Sequence, residues 1–349
     1  MEFKLEVISP VNIGNGEVLS QFSDYVYDEG FVYVIDHESL IQELMQGQNG
    51  EERLDDFVNI VQNQARGNTR DRFRLKDFFA EASIDFRQCA LRKIAVKEEI
   101  REQIQLHTKS AGQPIIPGSS LKGAIRTALI VHLFDGEERK IQNKRDYIGE
   151  DIFGRFGDDV LKYLHISDTL PFPQEDLGIV KFHNFHLKNN NSDIPIVKEV
   201  LIKGSSSSFR IKTTASKREV MEKFPFLQSG QEESLLPIIN EYTYKNIKLE
   251  LERLQKYDNA VISSIMNFYS SLLQAIEKAD ATKEAYLRIG SGKTFFDNTI
   301  AQSFSKKFLR SVIEKNFEKA NPNAFPITRT IVQETLAAEV PGWVKIKKL

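Results

Sequence analysis

Phe3, Leu5 and Val7 alternate with Glu2, Lys4 and Glu6 at the start of the chain, the period-two pattern of a half-buried strand, and Ser9-Pro10 breaks it. Residues 12–17 read Asn-Ile-Gly-Asn-Gly-Glu, a composition that makes a turn. Between 18 and 35, Tyr25, Tyr27, Phe31, Tyr33 and Ile35 alternate about Asp28-Glu29-Gly30, which predicts a hairpin. The pattern changes after His37. Charged, helix-favouring stretches at 51–65, 75–82 and 94–104 predict a helical insertion over about 37–112. Pro114-Ile-Ile-Pro-Gly-Ser-Ser then leads into Leu121, Ala124, Ile125, Ala128, Leu129 and Leu133, an apolar face with the helical period, ending at Asp135-Gly136.

Strand-like segments follow at 161–166, 178–187, 196–202 and 209–213, separated by turns rich in Pro, Asn and Ser, and they suggest a sheet shared by two units. Residues 235–279 read as a long helix interrupted near Asp258-Asn259, 286–289 as a short strand meeting Gly290-Ser-Gly, and 297–317 as a last helix. Strands and helices without a strict alternation predict the α+β class.

Composition narrows the options. At 349 residues the chain suits two domains, and 47 Lys plus Arg against 49 Asp plus Glu exclude binding of nucleic acid by global charge, so such a site must be local. The single cysteine, Cys89, excludes an internal disulfide. The N-terminus has no signal-peptide pattern and no run of about 18 apolar residues occurs, which predicts a soluble, cytoplasmic protein.

Three segments carry candidate chemistry. A Pro-Gly-Ser-Ser turn at a helix start directs backbone N–H groups and the Ser119 and Ser120 hydroxyls outward, as an anion site requires, and Lys122 and Arg126, four apart, could add charge. A capped core helix reads equally well from the same spacing. Tyr286-Leu-Arg-Ile-Gly-Ser-Gly-Lys-Thr-Phe-Phe imitates a P-loop, but that motif needs a further glycine where Leu287 stands. Gly290 and Gly292 allow close backbone approach, Lys293 and Thr294 could contact phosphate, and Phe295 or Phe296 could stack on a base or belong to the core. Gly14 and Gly16 make a third turn. Basic clusters lie at Arg66, Arg70, Arg72, Arg74 and Lys76, at Lys203, Arg210, Lys212, Lys217 and Arg218, and at Lys345, Lys347 and Lys348; such runs are commonly solvated faces.

Catalytic and metal chemistry has little support. The six histidines are scattered, His183 and His186 fall on opposite faces of a strand, His132 sits on the apolar helix face as a core residue would, and Asp24 and Asp168 suit turns or caps. No cofactor and no metal is expected.

Ile8-Ser-Pro-Val-Asn-Ile-Gly-Asn-Gly, Ile116-Pro-Gly-Ser-Ser-Leu-Lys-Gly-Ala-Ile-Arg and the late glycine turn, in this order, resemble the repeat-associated (RAMP) superfamily of CRISPR-Cas proteins. His165-Ile-Ser-Asp looks like its aspartate-ended strand. The ending, Phe325-Pro-Ile-Thr-Arg-Thr and Gly342-Trp-Val-Lys-Ile, looks most like the type III-A Csm complex subunit at the crRNA 3′ end. The resemblance leaves 37–112 unmatched.

It implies two ferredoxin-like (RRM-like) units, 1–190 with the helical insertion and 191–349 with the long helices and late turn. It implies an RNA-binding structural subunit that caps the crRNA 3′ region, aids crRNA maturation without an active site, and contacts the neighbouring Csm backbone subunit. Host nucleases for trimming follow from the resemblance alone, and no membrane is involved. By motif Gly14 and Gly16, then Ser119, Ser120, Lys122 and Arg126, then Gly290 and Gly292 carry over as RNA contacts. The late turn is shorter than the fuller loop of many superfamily members. The competing readings are a metal-independent endoribonuclease using one histidine, such as His37, and a metal-dependent backbone subunit cutting target RNA through an aspartate.

Overall fold

The computed structural model describes residues 1–46, 49–67, 74–136, 149–155, 157–334 and 337–349. Two sheets organise the chain. In the first, strands Glu284–Arg288, Trp343–Lys348, Glu2–Val7, Ser206–Thr213 and Leu164–Ile166 lie side by side, each antiparallel to its neighbour. Glu2–Val7 and Leu164–Ile166 flank Ser206–Thr213 and are therefore parallel to each other, joined through the helix Gly118–Leu133. Ser206–Thr213 and Trp343–Lys348 flank Glu2–Val7 in the same way, with the helix Leu235–Leu254 on the path between them.

The alternation read from the first residues sets which face is covered. Phe3, Leu5, Val7, Phe209, Ile211, Val344 and Ile346 face the two helices, meeting Leu121, Ile125 and Leu129 of one and Leu235, Leu236 and Ile239 of the other in one apolar cluster. On the opposite face the register places Lys4 beside Lys347 and Ser208, and Lys212 beside His165. Arg210 and Lys212 of the second basic cluster and Lys345 and Lys347 of the third thus lie on this face, whereas Lys348 falls opposite Phe3 on the other.

The second sheet runs Ala337–Glu339, Thr328–Glu334, Leu177–His186, Ile196–Leu201, Ile104–His107 and Gly14–Leu19, with Asn191–Ser192 beside Leu177–His186. Its pairs are antiparallel except Ile196–Leu201 with Ile104–His107. The helix Ala260–Lys278 packs here, burying Ile262, Ile265, Tyr269 and Leu272 against Ile331, Ala338 and Trp343. Both sheets draw strands from either side of residue 190, as the strand-like segments suggested, so a cut there passes through each sheet.

Most sequence expectations for elements hold. The hairpin pairs Tyr25–Asp28 with Phe31–Ile35 through Glu29 and Gly30, both at positive φ. The helix Gly118–Leu133 buries the predicted face. The interruption near Asp258-Asn259 is real: Asn259 Oδ1 accepts the Val261 N–H and starts the helix Ala260–Lys278.

Three expectations need correction. Residues 94–104 are not a helix. Ala90–Ala95 is the third strand of the hairpin's sheet and Ile104–His107 belongs to the second large sheet, so among the described residues the insertion is helical at His37–Leu44, Gly50–Ala65 and Leu75–Glu81. Arg92 and Lys93 look helix-favouring but here reach an ion pair with Glu199 and the ring of Phe31. The last helix is Lys306–Asn316, started by the Ser305 hydroxyl accepting from Phe308 N–H. His132 is not core; it lies at the surface, 2.9 Å from Glu241.

Candidate nucleic-acid interface

The first glycine turn is fixed from below. Asn12 is buried; its Nδ2 donates to the Glu199 carbonyl (2.8 Å), and its own carbonyl accepts the Ser291 N–H (2.8 Å). The Ser291 hydroxyl donates to Asn12 Oδ1 at 2.7 Å. The two glycine turns are thereby one assembly. Gly290 has φ +69°, and a Cβ there would stand 2.3 Å from the Asn12 carbonyl oxygen, so this junction needs glycine twice over.

His107 ties the same loop to the helix start. Its Nδ1 accepts the Ile13 N–H (3.2 Å), so Nε2 carries the proton and donates to the Ile115 carbonyl (2.9 Å). Burial pushes its pKa down to about 4, against the hydrogen bond to Ile115 and the nearby Glu199 carboxylate. It is a neutral strut. Beneath it Glu199, 1 % exposed, accepts from Arg92, from Lys109 (2.9 Å) and from the His107 N–H (3.1 Å). Burial alone would raise that carboxyl, but the two cations hold it below the usual range.

The late turn hangs on Arg288. Its Nε donates to the Pro341 carbonyl (3.0 Å), Nη1 to Asp297 (2.6 Å) and Nη2 to the Gly292 carbonyl (2.8 Å). Thr294 gives both its N–H and hydroxyl to the same Asp297 oxygen. Among the described residues Lys293 has no hydrogen-bond or ion-pair partner, and burial lowers its pKa despite Asp297. Lys198 stands beside the turn, donating to Gln105 (2.6 Å) and Ser291 (3.4 Å).

The helix start is built differently from its sequence expectation. Gly118 N–H donates to Asp168 Oδ1 (2.8 Å), the capping role that suits Asp168. Ser119 is exposed and Ser120 half-buried on the first turn. Lys122 donates to the Leu161 (2.8 Å) and Leu164 (2.7 Å) carbonyls. Arg126 pairs with Asp159 at 3.2 Å over the Phe153 ring. Both cations are engaged in holding residues 159–164, and neither points free charge at a ligand.

The structure thus joins Gly14 and Gly290 through Asn12, and reaches the lead-in to Gly118 through His107. Gly16, at φ +90° with open space where a Cβ would sit, forms the exposed tip of the first turn. Sequence reasoning missed Asn12, His107, Glu199 and Arg288 as the joints between these turns. Asn12 and Arg288 stood inside quoted motifs; His107 and Glu199 are single residues in strands, tied in by topology.

A family model for the RAMP superfamily matches residues 4–296, spanning all three segments. The chain belongs to the RAMP superfamily. Among its curated relatives, the CRISPR system Cms protein Csm5 of Methanocaldococcus jannaschii is 25% identical over 99% of this chain and 88% of its own length. The Streptococcus thermophilus protein of the same name is 25% identical over 61% of this chain and 64% of its own length. In solved structures, a chain of a Csm–crRNA–target RNA ternary complex of a type III-A system aligns at TM-score 0.68 and 22% identity, over 99% of this chain and 100% of that one. The crystal structure of T. onnurineus Csm5 aligns at 0.66 and 21%, over 98% and 99%.

Within this RAMP chain the enzyme candidates have other employment. His37 Nε2 lies 3.0 Å from Asp24, and that hydrogen bond raises its pKa against partial burial. Asp24 also accepts the Ser20 N–H at 2.6 Å, a turn role. Among the described residues no cluster of His, Cys, Asp and Glu could hold a metal, and no helix is long and apolar enough to cross a membrane. Phe296 is core, whereas Phe295 is half-buried among Phe296, Phe317 and Phe325. Of the basic clusters, Lys76, Lys203, Arg218, Lys345 and Lys348 pair with carboxylates, and Arg70 and Arg72 lie outside the described residues.

Proposed function

We propose that this chain is the Csm5-type subunit of a type III-A CRISPR effector complex, an RNA-binding, non-cutting component of the cytoplasm that caps the crRNA 3′ region and aids its maturation. Its partners are then crRNA and the neighbouring Csm backbone subunit, in keeping with the Csm–crRNA–target RNA complex that holds one of its structural relatives. We read the five-stranded sheet with its two helices as a ferredoxin-like unit with one added edge strand, since its path is strand, helix, two strands, helix, two strands with each parallel pair split by a third strand. The second sheet supplies the other unit of that reading.

The observation that carries the reading is the junction at Asn12, which sets two glycine turns edge to edge beside Lys293. Glycine turns let an RNA backbone approach the chain, and a half-buried ammonium without an internal partner suits one phosphate. We assign Gly14, Gly16, Gly290, Gly292, Lys293 and Ser119 to this contact, with Thr294 and Ser120 beside it. Lys122 and Arg126 become supports of the helix start.

Lys293→Ala should weaken binding of single-stranded RNA alike across sequences and reduce the salt slope by about 1. Fluorescence anisotropy of the purified chain over a salt series checks this, and an unchanged affinity and slope would sink the assignment. Cleavage of repeat RNA in EDTA that disappears in His37→Ala would instead favour the endoribonuclease.

A further inference from the structure

A second, separate feature lies between the end of the helix Leu235–Leu254, the helix Lys306–Asn316 and residues 322–329. A cavity of about 590 Å³ opens there, lined among others by Arg253, Arg329, Lys306, Lys307, Tyr257 and Phe325. No Asp or Glu lines it among the described residues. Its floor is unusual. Arg329 is 2 % exposed, its Nε donates to Glu250 and its Nη1 to the Pro326 (2.7 Å) and Thr328 (2.8 Å) carbonyls, but its Nη2 is buried with no partner among the described residues. Arg253 lies over the Phe296 ring at 3.5 Å, and its Nη1, 3.9 Å from Glu250, is likewise buried and unbonded.

Two guanidiniums therefore share one carboxylate, and each keeps one buried N–H donor unbonded beside a cavity that both residues line. A buried donor left without a partner is costly, more so when charged, and two such donors beside one cavity call for a completing partner. The missing component is an anion with several acceptor oxygens. A cavity of this size lies within the range of small-ligand sites, roughly 300–1,000 Å³. The Tyr257 and Phe325 rings offer flat apolar walls of the kind on which a base stacks. Lys306, Lys307 and Arg310 at the mouth are exposed, with Arg310 Nε on Glu314.

We infer that this cavity binds one phosphorylated nucleotide, its phosphate on Arg253 and Arg329 and its base against Tyr257 or Phe325. The inference does not rest on the glycine-turn reading, because no residue is common to the two places. The same chemistry could come from the phosphorylated end of a single-stranded RNA or from a free mononucleotide.

The test uses the full chain and a labelled short oligouridylate bearing a 5′-phosphate, a 3′-phosphate or neither, read by anisotropy, with adenosine 5′-monophosphate as competitor. A phosphorylated end should bind about tenfold or more tighter than the unphosphorylated oligomer. Arg253→Gln should erase that preference, and Lys293→Ala should leave it intact, which separates this site from the glycine turns. Competition by the mononucleotide assigns the free nucleotide, and its failure to compete assigns the RNA end. Binding blind to the phosphate, or a preference that survives Arg253→Gln, overturns the inference, as does displacement by a polyglutamate peptide as effective as by the nucleotide. Should Arg253→Gln not fold by circular dichroism, the exposed double variant Lys306→Ser/Lys307→Ser decides. It must lower affinity for the phosphorylated oligomer several-fold at unchanged melting temperature, and unchanged affinity counts against the site.

Discussion

Arg288 and Arg329 are the same side chain in nearly the same degree of burial, with side chains 4% and 3% exposed, and they are used in opposite ways. Arg288 donates through all three nitrogens, to a carboxylate and to two carbonyls, and so closes the late glycine turn. Arg329 keeps a buried Nη2 without a partner among the described residues and lines a cavity. Arg288 is bonded throughout and shapes the chain, whereas Arg329, beside a cavity, keeps a buried donor that a ligand could complete. The glycine turns belong to the first kind underneath and to the second only at Lys293.

The comparison breaks most visibly at Arg288. Arg288→Ala removes the partner of Asp297 and three supports of the late turn together, and should destabilise the chain by about 3–5 kcal/mol, the usual cost of stranding one half of a buried ion pair. Urea unfolding measures it. A loss below about 1 kcal/mol would mean that Arg288 does not hold the turn.

A sharper version concerns His107, where the folded state keeps the ring neutral down to about pH 4. The unfolded ring titrates near 6.5. Between those values the unfolded chain binds the additional proton, so the stability that His107 contributes is fully present above about pH 6.5 and is lost as pH falls towards 4. A shift of that size is worth on the order of 3 kcal/mol. Unfolding free energies from pH 7 to 4 should therefore fall less steeply in His107→Leu, which starts from a lower stability because Ile13 N–H and the Ile115 carbonyl lose their partner. Equal slopes in the two proteins would exclude His107 as the titrating strut.

These joints also show how much was legible in the sequence. The strand Glu2–Val7, the hairpin at Asp28-Glu29-Gly30 and the helix Gly118–Leu133 declare themselves by local period, because each buries one face and its neighbours alone decide which. Ala90–Ala95 does not, because Arg92 and Lys93 suit a helix locally and a strand only once Glu199 and Phe31 stand beside them. The glycine turns could be found as motifs, but that Gly290 rests on Asn12 follows from two sheets meeting across 278 residues of chain (290 minus 12). The cavity left even less trace. Arg253, Lys306 and Arg329 sit in three elements, and no spacing in the sequence connects them.

The smallest of these effects separates Lys122 from Lys293, two lysines that follow glycine-containing motifs in the same way. Lys122 bonds the carbonyls of Leu161 and Leu164, whereas Lys293 has no such partner among the described residues. Removing the first leaves two partly buried acceptors without a donor, at a cost of about 1–3 kcal/mol, and leaves RNA affinity where it was once the variant is folded. Removing the second should do the reverse, lowering affinity and leaving the unfolding midpoint nearly unchanged. Measured together, a loss of affinity in folded Lys122→Ala at unchanged stability would return the helix start to the RNA surface and show that its two carbonyl bonds are surrendered on binding. The crossed outcome expected here instead ties function to the ammonium that the fold leaves unbonded, and makes incomplete bonding the criterion by which a site in this chain is recognised.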